Sequence, residues 1–381
     1  MKKQTLRVLV LSDEHLREKV RTSGVTLEGD CKYAIEQIRD LCDMIRPDIV
    51  IHAGDIFNQR NISPEELNLF RELLEATGVE VSYHFTIQGN HDRGGETPIP
   101  QSLGCSKLSQ KITELDTTTT VNEGVYLSLW GRDYDQEITK DKVTGDHKAC
   151  INVLHFPCKP FNNRVEYALS VEDMYPRSLT IIGDTHISKL VEGKDERLVL
   201  SPGTLFPQNK TELCSETSTG VWLITVNGPH ITKKDIIQLP FLSRRGLDLS
   251  DIDDMSEIEE RVKEFLRKVQ EEPKKLGLSI KPLTPVIYVK DNVSSVNVEG
   301  DFILVRITEG SELTPLSEGL EDVSTSISVI PELVKRLMQD EDRAVEVSEL
   351  IMSMWSTNDP VSVLNDWLKK KEVPLNEAGS K

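Results

Sequence analysis

Five short apolar runs, each ending in a residue with an oxygen or nitrogen donor, constrain this chain more than any other feature. They are Leu9-Val10-Leu11-Ser12-Asp13-Glu14-His15, Ile49-Val50-Ile51-His52-Ala53-Gly54-Asp55, Phe85-Thr86-Ile87-Gln88-Gly89-Asn90-His91-Asp92, Ile151-Asn152-Val153-Leu154-His155 and Leu179-Thr180-Ile181-Ile182-Gly183-Asp184-Thr185-His186. Apolar stretches of this length read as buried strands. Helical patterns separate the first three, and strand alternating with helix predicts an α/β layered core. In an open α/β sheet, ligands collect at the carboxyl ends of the strands. Asp, Asn and His are donors that hard or borderline divalent metals accept, so five such strand ends suggest a metal site.

In chain order, residues 5–11 read as the first strand, and apolar residues at Ala34, Ile35, Ile38, Leu41, Cys42 and Ile45 recur at helical spacing between Gly29 and Pro47. A strand over 48–52 follows. Ser63-Pro64-Glu65-Glu66 then supplies an N-cap, a proline at the first helical position and acidic residues for the first turn of a helix reaching about Thr77. A third strand spans 79–87. A helix is expected over 98–111, a strand over 125–130, and a surface excursion over 133–147. Strands over 150–154, 179–182, 198–200, 221–226 and 236–239, with few helices between them, predict a sheet on each side of a shared core, with helices outside. A boundary falls near Leu242-Ser243-Arg244-Arg245-Gly246. Beyond it, a charged amphipathic helix over 256–271 carries Ile258, Val262, Phe265, Leu266 and Val269 on one stripe. Strands over 282–289 and 301–307 complete a small α+β unit, and helical patterns run from Pro331 to Leu368. The expected domains are thus 1–245, 246–325 and 326–371, with a disordered tail over 372–381.

Composition limits what the site can serve. At 381 residues and 38% hydrophobic, the chain suits a large globular core plus smaller units. No apolar run approaches the ~20 residues that span a bilayer, and the start leads into a strand, so the expectation is a cytoplasmic protein without membrane contact. The six cysteines form no C-x-x-C pair, which excludes a zinc ribbon or a thioredoxin-type motif and points to reduced, mostly buried thiols. A formal charge of −18 argues against coating nucleic acid through bulk electrostatics. A nuclease is still compatible with it, because metal-binding carboxylates supply part of the charge and a local basic groove can coexist with an acidic remainder.

Two divalent ions ~3.5–4 Å apart can bind a phosphoryl oxygen, generate hydroxide from water and stabilise both attacking and leaving oxygens. A carboxylate shared by both ions is the natural centre of such a pair. Asp55, carried past its strand end by Gly54, is placed for that role.

These residues also carry a resemblance. Asp13-Glu14-His15, Gly54-Asp55, Gly89-Asn90-His91-Asp92, His155 and Gly183-Asp184-Thr185-His186 resemble, in order, the five signature motifs of calcineurin-like metallophosphoesterases. Gly54-Asp55-Ile56-Phe57, the Gly-Asn-His-Asp-Arg run ending at Arg93 and Ser201-Pro202-Gly203-Thr204 are most similar to the SbcD-type nuclease subunit of double-strand-break repair, of cellular or phage origin. The resemblance implies a two-sheet sandwich flanked by helices, a small capping unit, and C-terminal helices that bind an SMC-like coiled-coil ATPase. It implies one metal held by Asp13, His15, Asp55 and His186, and a second held by Asp55, Asn90, His155 and Asp184. His91 would protonate the leaving oxygen or stabilise the pentavalent phosphorus, and Asp92 would orient His91 by accepting its second ring proton. Manganese is the implied metal, with magnesium also compatible. The implied activity is exonuclease or endonuclease cleavage of DNA by metal-bound hydroxide, in repair, recombination and replication, by a homodimer working with the ATPase. This chain has no phosphate-binding loop for ATP of its own.

Two positions depart from the family pattern. Asp184 stands where the last motif usually has His, which hardens the donor set and adds a negative charge. Asn58 stands where relatives often have His or Asp, and Asn cannot transfer a proton. Taken singly, Asp13-x-His15 reads better as a capped turn, Gly54-Asp55 as a turn, and Asn90-His91 also as a turn with a surface imidazole; only five motifs in order make a site. His52 and His84 carry no motif and read as packed within strands, while His147 and His230 read as loop residues. Two other readings stay open: a phosphatase or phosphodiesterase of small molecules, and a catalytically weakened scaffold that binds DNA ends or the ATPase.

Overall fold

The computed structural model describes residues 5–59, 62–78, 83–92, 112–114, 119–122, 126–132, 151–159, 161, 169–174, 176–227, 231–293 and 295–307. All of these fall in the first of two compact units, Met1–Ser311. The helix expected over 98–111, the excursion over 133–147, His147, His230 and the whole region from 308 onward lie outside the described residues.

The chain opens with β1 (Leu6–Leu11), a hairpin of β2 (Lys19–Thr22) and β3 (Val25–Glu28), α1 (Asp30–Ile45), β4 (Ile49–His52), α2 (Pro64–Ala76), β5 (Tyr83–Thr86) and β6 (Ile112–Glu114). It continues through β7 (Thr119–Asn122), β8 (Tyr126–Arg132), β9 (Ile151–His155), β10 (Leu179–Gly183), β11 (Lys189–Glu192) and β12 (Leu198–Ser201). A short α3 (Lys210–Leu213) precedes β13 (Trp222–Val226) and β14 (Ile236–Gln238). The last elements are β15 (Gly246–Leu249), α4 (Met255–Lys275), β16 (Val286–Lys290) and β17 (Ile303–Ile307).

Two six-stranded sheets result, in the orders β14-β13-β1-β4-β5-β6 and β11-β12-β10-β9-β8-β7. Strand periodicity explains how they pack. Val8 and Val10 of β1 and Ile49 and Ile51 of β4 point between the sheets and meet Ile151, Val153, Leu179 and Ile181 from the other side. Leu9, Leu11 and Val50 point the other way, onto Ala34, Ile38 and Leu41 of α1 and Leu69, Phe70 and Leu73 of α2. The central strands are thus buried on both faces, which is why they read as unbroken apolar runs. The outer face of the second sheet, through Leu154, Ile182 and Val199, is covered by Phe156, Cys158, Leu169, Val171 and Met174.

Local signals place the helices. The Ser63 side chain accepts from the Glu66 N–H while Glu66 reaches back to the Ser63 N–H, a capping box that starts α2 with Pro64 at its first position. The β2–β3 hairpin escapes the sequence reading although Val20 and Leu27 alternate with charged neighbours around a Ser23-Gly24 turn. After Arg245 a separate three-stranded parallel sheet, β15-β16-β17, packs on α4 through Leu249, Ile258, Val262, Ile287 and Val289. Arg244 ties it to the core. Its buried guanidinium forms a two-pronged ion pair with Asp30 at 2.9 and 3.0 Å and donates to the carbonyls of Glu28 and Thr284.

Candidate metal centre

The parallel register aligns the strand ends. Leu11 lies beside His52 and His52 beside Thr86, while Gly183 lies beside His155 in the second sheet. The chain therefore leaves β1, β4 and β5 at one edge and β9 and β10 at the edge facing it. The two edges are joined where the His155 ring donates through Nδ1 to the Ala53 carbonyl at 2.9 Å. Gly54 and Gly183 permit this approach: a Cβ on either would lie 2.3 or 2.5 Å from His155 Nδ1. At Gly54 the backbone φ of +92° also favours glycine.

All nine sequence-predicted site residues are brought together. Asp55 is the centre. Its Oδ2 lies 3.2 Å from His155 Nε2, 3.8 Å from His15 Nε2 and 3.9 Å from His91 Nε2, and its Oδ1 accepts the His91 backbone N–H at 2.9 Å. On one side His15 Nε2 and His186 Nε2 face each other at 3.1 Å, with Asp13 Oδ1 3.5 Å from His186. On the other, His155 Nε2 faces Asn90 Oδ1 at 3.1 Å and Asp184 Oδ1 at 3.9 Å. Among the described residues, Asp13, His15 and His186, then His15, Asp55 and His91, then Asp13, Asp55 and His155 form three overlapping groups compact enough to hold an ion. Asp13, His15, Asp55 and His155 are buried, whereas the side chains of His91, Asp184 and His186 retain 16%, 21% and 26% exposure and form the open side.

The backbone is unusual at these positions. Asp13, His15, Asp55, Asp184 and His186 all have positive φ, from 37° to 78°. Non-glycine residues in this region cost about 1–3 kcal/mol each and persist only where the surroundings hold them. Here the surroundings are hydrogen bonds between the loops. Asp13, His15 and Leu16 donate backbone N–H groups to the carbonyls of Gly54, Asp55 and Ile56, Asp184 N–H donates to Asp13 Oδ1, and the Thr204 hydroxyl donates to the Asp13 carbonyl.

The hydrogen bonds also test whether these residues suit a metal. A carbonyl can only accept, so the contact with Ala53 places the proton of neutral His155 on Nδ1 and aims the Nε2 lone pair at the oxygens of Asp55, Asn90 and Asp184. The Glu212 carboxylate does the same for His186, accepting from Nδ1 at 2.9 Å, so its Nε2 lone pair faces His15 Nε2. The Nε2 acceptors of His155 and His186 are thus aimed at carboxylate and amide oxygens and at a second imidazole, and this donor set fits divalent ions. Without metal, protons serve instead. Burial opposes charge on His155 and His186, but Asp55 and Glu212 respectively outweigh it and hold both imidazoles well above their ordinary value. Burial similarly opposes ionisation of Asp13 and Asp55, and His186 and His155 respectively hold these carboxyls below the usual range. Burial drives His15 down and, with Asp55 and Asp13 adding repulsion, pushes Asp184 up to about 7.

One expected role is corrected. The resemblance gives Asp92 the task of orienting His91, but the His91 Nδ1 lies 2.9 Å from the Asn58 carbonyl, which accepts its proton. The Asp92 carboxylate instead accepts three backbone N–H groups, from Phe57 at 2.9 Å, Ile56 at 3.1 Å and Gly89 at 3.2 Å, clamping the loop after β5 to the loop after β4. Burial and then the charge of Asp55 push this carboxyl up to about 7, against the pull of those amides. Glu212, on α3 behind the Asn209 N-cap, is a site residue that sequence reasoning misses. Nothing local marks it, since its partner His186 is 26 residues away.

Residues 6–168 match the calcineurin-like phosphoesterase family, and with the two-sheet core this makes the fold that of a calcineurin-like metallophosphoesterase. The chain is 22% identical over 239 residues to the DNA double-strand break repair protein Mre11 of Methanocaldococcus jannaschii, covering 58% of this chain and 63% of that one. It is 28% identical over 88 residues to the SbcD subunit of the SbcCD nuclease of Staphylococcus epidermidis, 23% of each chain. The chain thus spans less than two thirds of either relative. Among solved structures, the NAD nucleotidase of Haemophilus influenzae is similar with a TM-score of 0.36 and 14% identity, over 61% of this chain and 49% of that one. No helix among the described residues is long and apolar enough to cross a membrane.

Proposed function

We propose that this protein is a manganese-dependent DNA nuclease, the phosphodiesterase subunit of an SbcCD-like complex, working as a homodimer with an SMC-like coiled-coil ATPase. The observation that carries the chemistry is Asp55 Oδ2 facing three imidazole Nε2 atoms within 3.2–3.9 Å, the arrangement of a carboxylate shared between two ions. Asp13, His15, Asp55 and His186 would hold one ion, and Asp55, Asn90, His155 and Asp184 the other. When bound, such a pair supplies Lewis acidity toward phosphoryl oxygens and activates water at neutral pH. The chain's own groups do the rest. His91, with its Nδ1 proton held by the Asn58 carbonyl, presents Nε2 on the open side; as the imidazolium it can hand the Nε2 proton to a leaving oxygen and keep the Nδ1 proton on Asn58. Ser12 and the Asp184 amide fix the Asp13 carboxylate, and Glu212 fixes the His186 ring, so the donors are oriented before any ligand arrives.

The names of the two relatives, a DNA double-strand break repair protein and a subunit of a nuclease, support DNA as substrate and a partner subunit; that this partner is an ATPase follows from the motif resemblance. The test is Mn(II)-dependent degradation of linear DNA set beside hydrolysis of bis(p-nitrophenyl) phosphate. The parent should cut both, and Asp55→Asn and His91→Asn should cut neither while keeping a folded circular dichroism spectrum. Hydrolysis of the small ester with DNA left intact would favour a small-molecule phosphodiesterase. Absence of turnover with any divalent ion, restored by Asp184→His, would favour the scaffold reading.

A further inference from the structure

Directly beneath the metal centre a second set of titratable side chains is buried, and the chemistry above does not use it. Glu14 lies between Asp13 and His15, but its side chain turns inward, where Oε1 meets His52 Nδ1 at 2.7 Å. His52 Nε2 lies 3.3 Å from His84 Nδ1, and the two rings stack with centroids 5.6 Å apart. His84 Nε2 lies 3.4 Å from the hydroxyl of Thr77, which donates to the Leu74 carbonyl at 2.7 Å at the end of α2. Glu14, His52, His84 and Thr77 are all at most 3% exposed. The line thus runs from the β1 turn, across β4 and β5, to the helix that covers the sheet.

The contact between the rings constrains their tautomers. His52 Nε2 and His84 Nδ1 form a hydrogen bond only if one donates and the other accepts. The two neutral rings therefore carry their proton on the same nitrogen, Nδ1 in both or Nε2 in both, and either choice lets the line continue to Glu14 at one end and Thr77 at the other. Four polar side chains placed in an apolar layer cost desolvation that mutual hydrogen bonding offsets only if all are joined. Their yield is positional: beside the loop hydrogen bonds described above, Glu14 ties the inner side of the Asp13–His15 turn to β4, β5 and the end of α2.

We propose that Glu14, His52, His84 and Thr77 form a positioning column that holds the Asp13–His15 turn in its left-handed backbone and so fixes two of the metal donors. The proposal rests on the metal reading above for its consequence, but the column itself is testable in metal-free protein. Nitrogen shifts of selectively labelled histidines in the unaltered protein should place the proton of His52 and His84 on the same ring nitrogen, Nδ1 in both or Nε2 in both. In His84→Phe, which keeps a ring of similar size but removes both nitrogens, exchange of the Asp13, His15 and Leu16 amides should quicken about tenfold relative to the β4 strand. Mn(II) affinity, followed by the loss of free-ion paramagnetic resonance, should fall about tenfold. Glu14→Ala should do the same, and Glu14→Gln, whose amide offers both an acceptor and a donor to His52 Nδ1, should restore both. Phe70→Leu serves as control: Phe70 touches the His52 ring at 5.9 Å without a hydrogen bond, so it should weaken the core without singling out the turn. Protons on Nδ1 of one ring and Nε2 of the other, or a His84→Phe turn that exchanges no faster than that of Phe70→Leu, would overturn the column. Failure of the parent to bind Mn(II) would refute the metal reading and leave the exchange and tautomer results to decide the column alone.

Discussion

Replacing Asp92 by Asn separates two roles that a carboxylate beside His91 could have. The aspartate accepts from Phe57 through Oδ1 and from Ile56 and Gly89 through Oδ2. Asparagine has one acceptor oxygen. Turned toward Ile56 and Gly89 it keeps two bonds and sets its amide nitrogen against the Phe57 N–H. Losing a bond to a charged acceptor costs about 1.5–3 kcal/mol, and the orphaned buried donor adds to it. Relief of repulsion with Asp55 returns part of this, leaving a net loss of about 2–3 kcal/mol. For a domain of this size that is a fall in Tm of about 4–12 °C. Thermal unfolding of metal-free protein at pH 7.5, followed by circular dichroism, measures it. His91→Asn should show the converse, a Tm close to the parent's with turnover lowered by orders of magnitude. If Asp92→Asn melts within about 1 °C of the parent yet loses all turnover, the clamp reasoning fails and Asp92 acts through the His91 ring.

Four further outcomes follow from the site. Because His155 and His186 are held above their ordinary value and Asp184 is pushed up to about 7, metal must displace protons. Mn(II) affinity should therefore rise with pH from 6 to 8, and titration calorimetry in buffers of different ionisation enthalpy should detect proton release; a flat profile would refute this. Glu212→Gln should weaken Mn(II) binding by about 10–100-fold while leaving the unfolding midpoint near the parent's, as read by paramagnetic resonance and melting together. Gly183→Ala would place a Cβ 2.2 Å from the Ala53 carbonyl oxygen and 2.5 Å from His155 Nδ1, so it should cost about 2–4 kcal/mol in urea unfolding through overpacking and loss of that buried bond. His91→Asn should lower the rate on a small diester by about 10²–10⁴-fold with Mn(II) affinity unchanged.

The sandwich is legible because its central strands are buried on both faces and so appear as uninterrupted apolar runs, and because each run stops at a donor. Ser63-Pro64-Glu65-Glu66 is legible because a capping box is a local, four-residue event. What escapes is either non-local or side-chain specific. Glu212 meets His186, and Arg244 meets Asp30 214 residues away, with no mark on either sequence neighbourhood. Asp92 reads as a partner of the histidine beside it because adjacency is what a sequence displays; the three amides it accepts from belong to turns whose approach only the assembled sheets define. His52 and His84 read as packed strand residues, and they are buried; their linkage through Glu14 depends on the β4–β5 register, which places Val50 against His84.

The position of β1 has a consequence for how this protein is made. β1 sits in the middle of its sheet between β4 and β13, and Leu6 pairs with Val226. β1 leaves the ribosome more than 200 residues ahead of β13 and must therefore wait for nearly the last strand of the sandwich before its neighbour on one side exists. Asp13 likewise has to await Asp184 and Thr204. Contacts this distant in sequence make closure slow, and until residue 226 has emerged an apolar strand edge stays open to other chains. Synthesis should thus yield no metal-competent fragment: the centre matures in one late step, when the two ends of the sandwich meet.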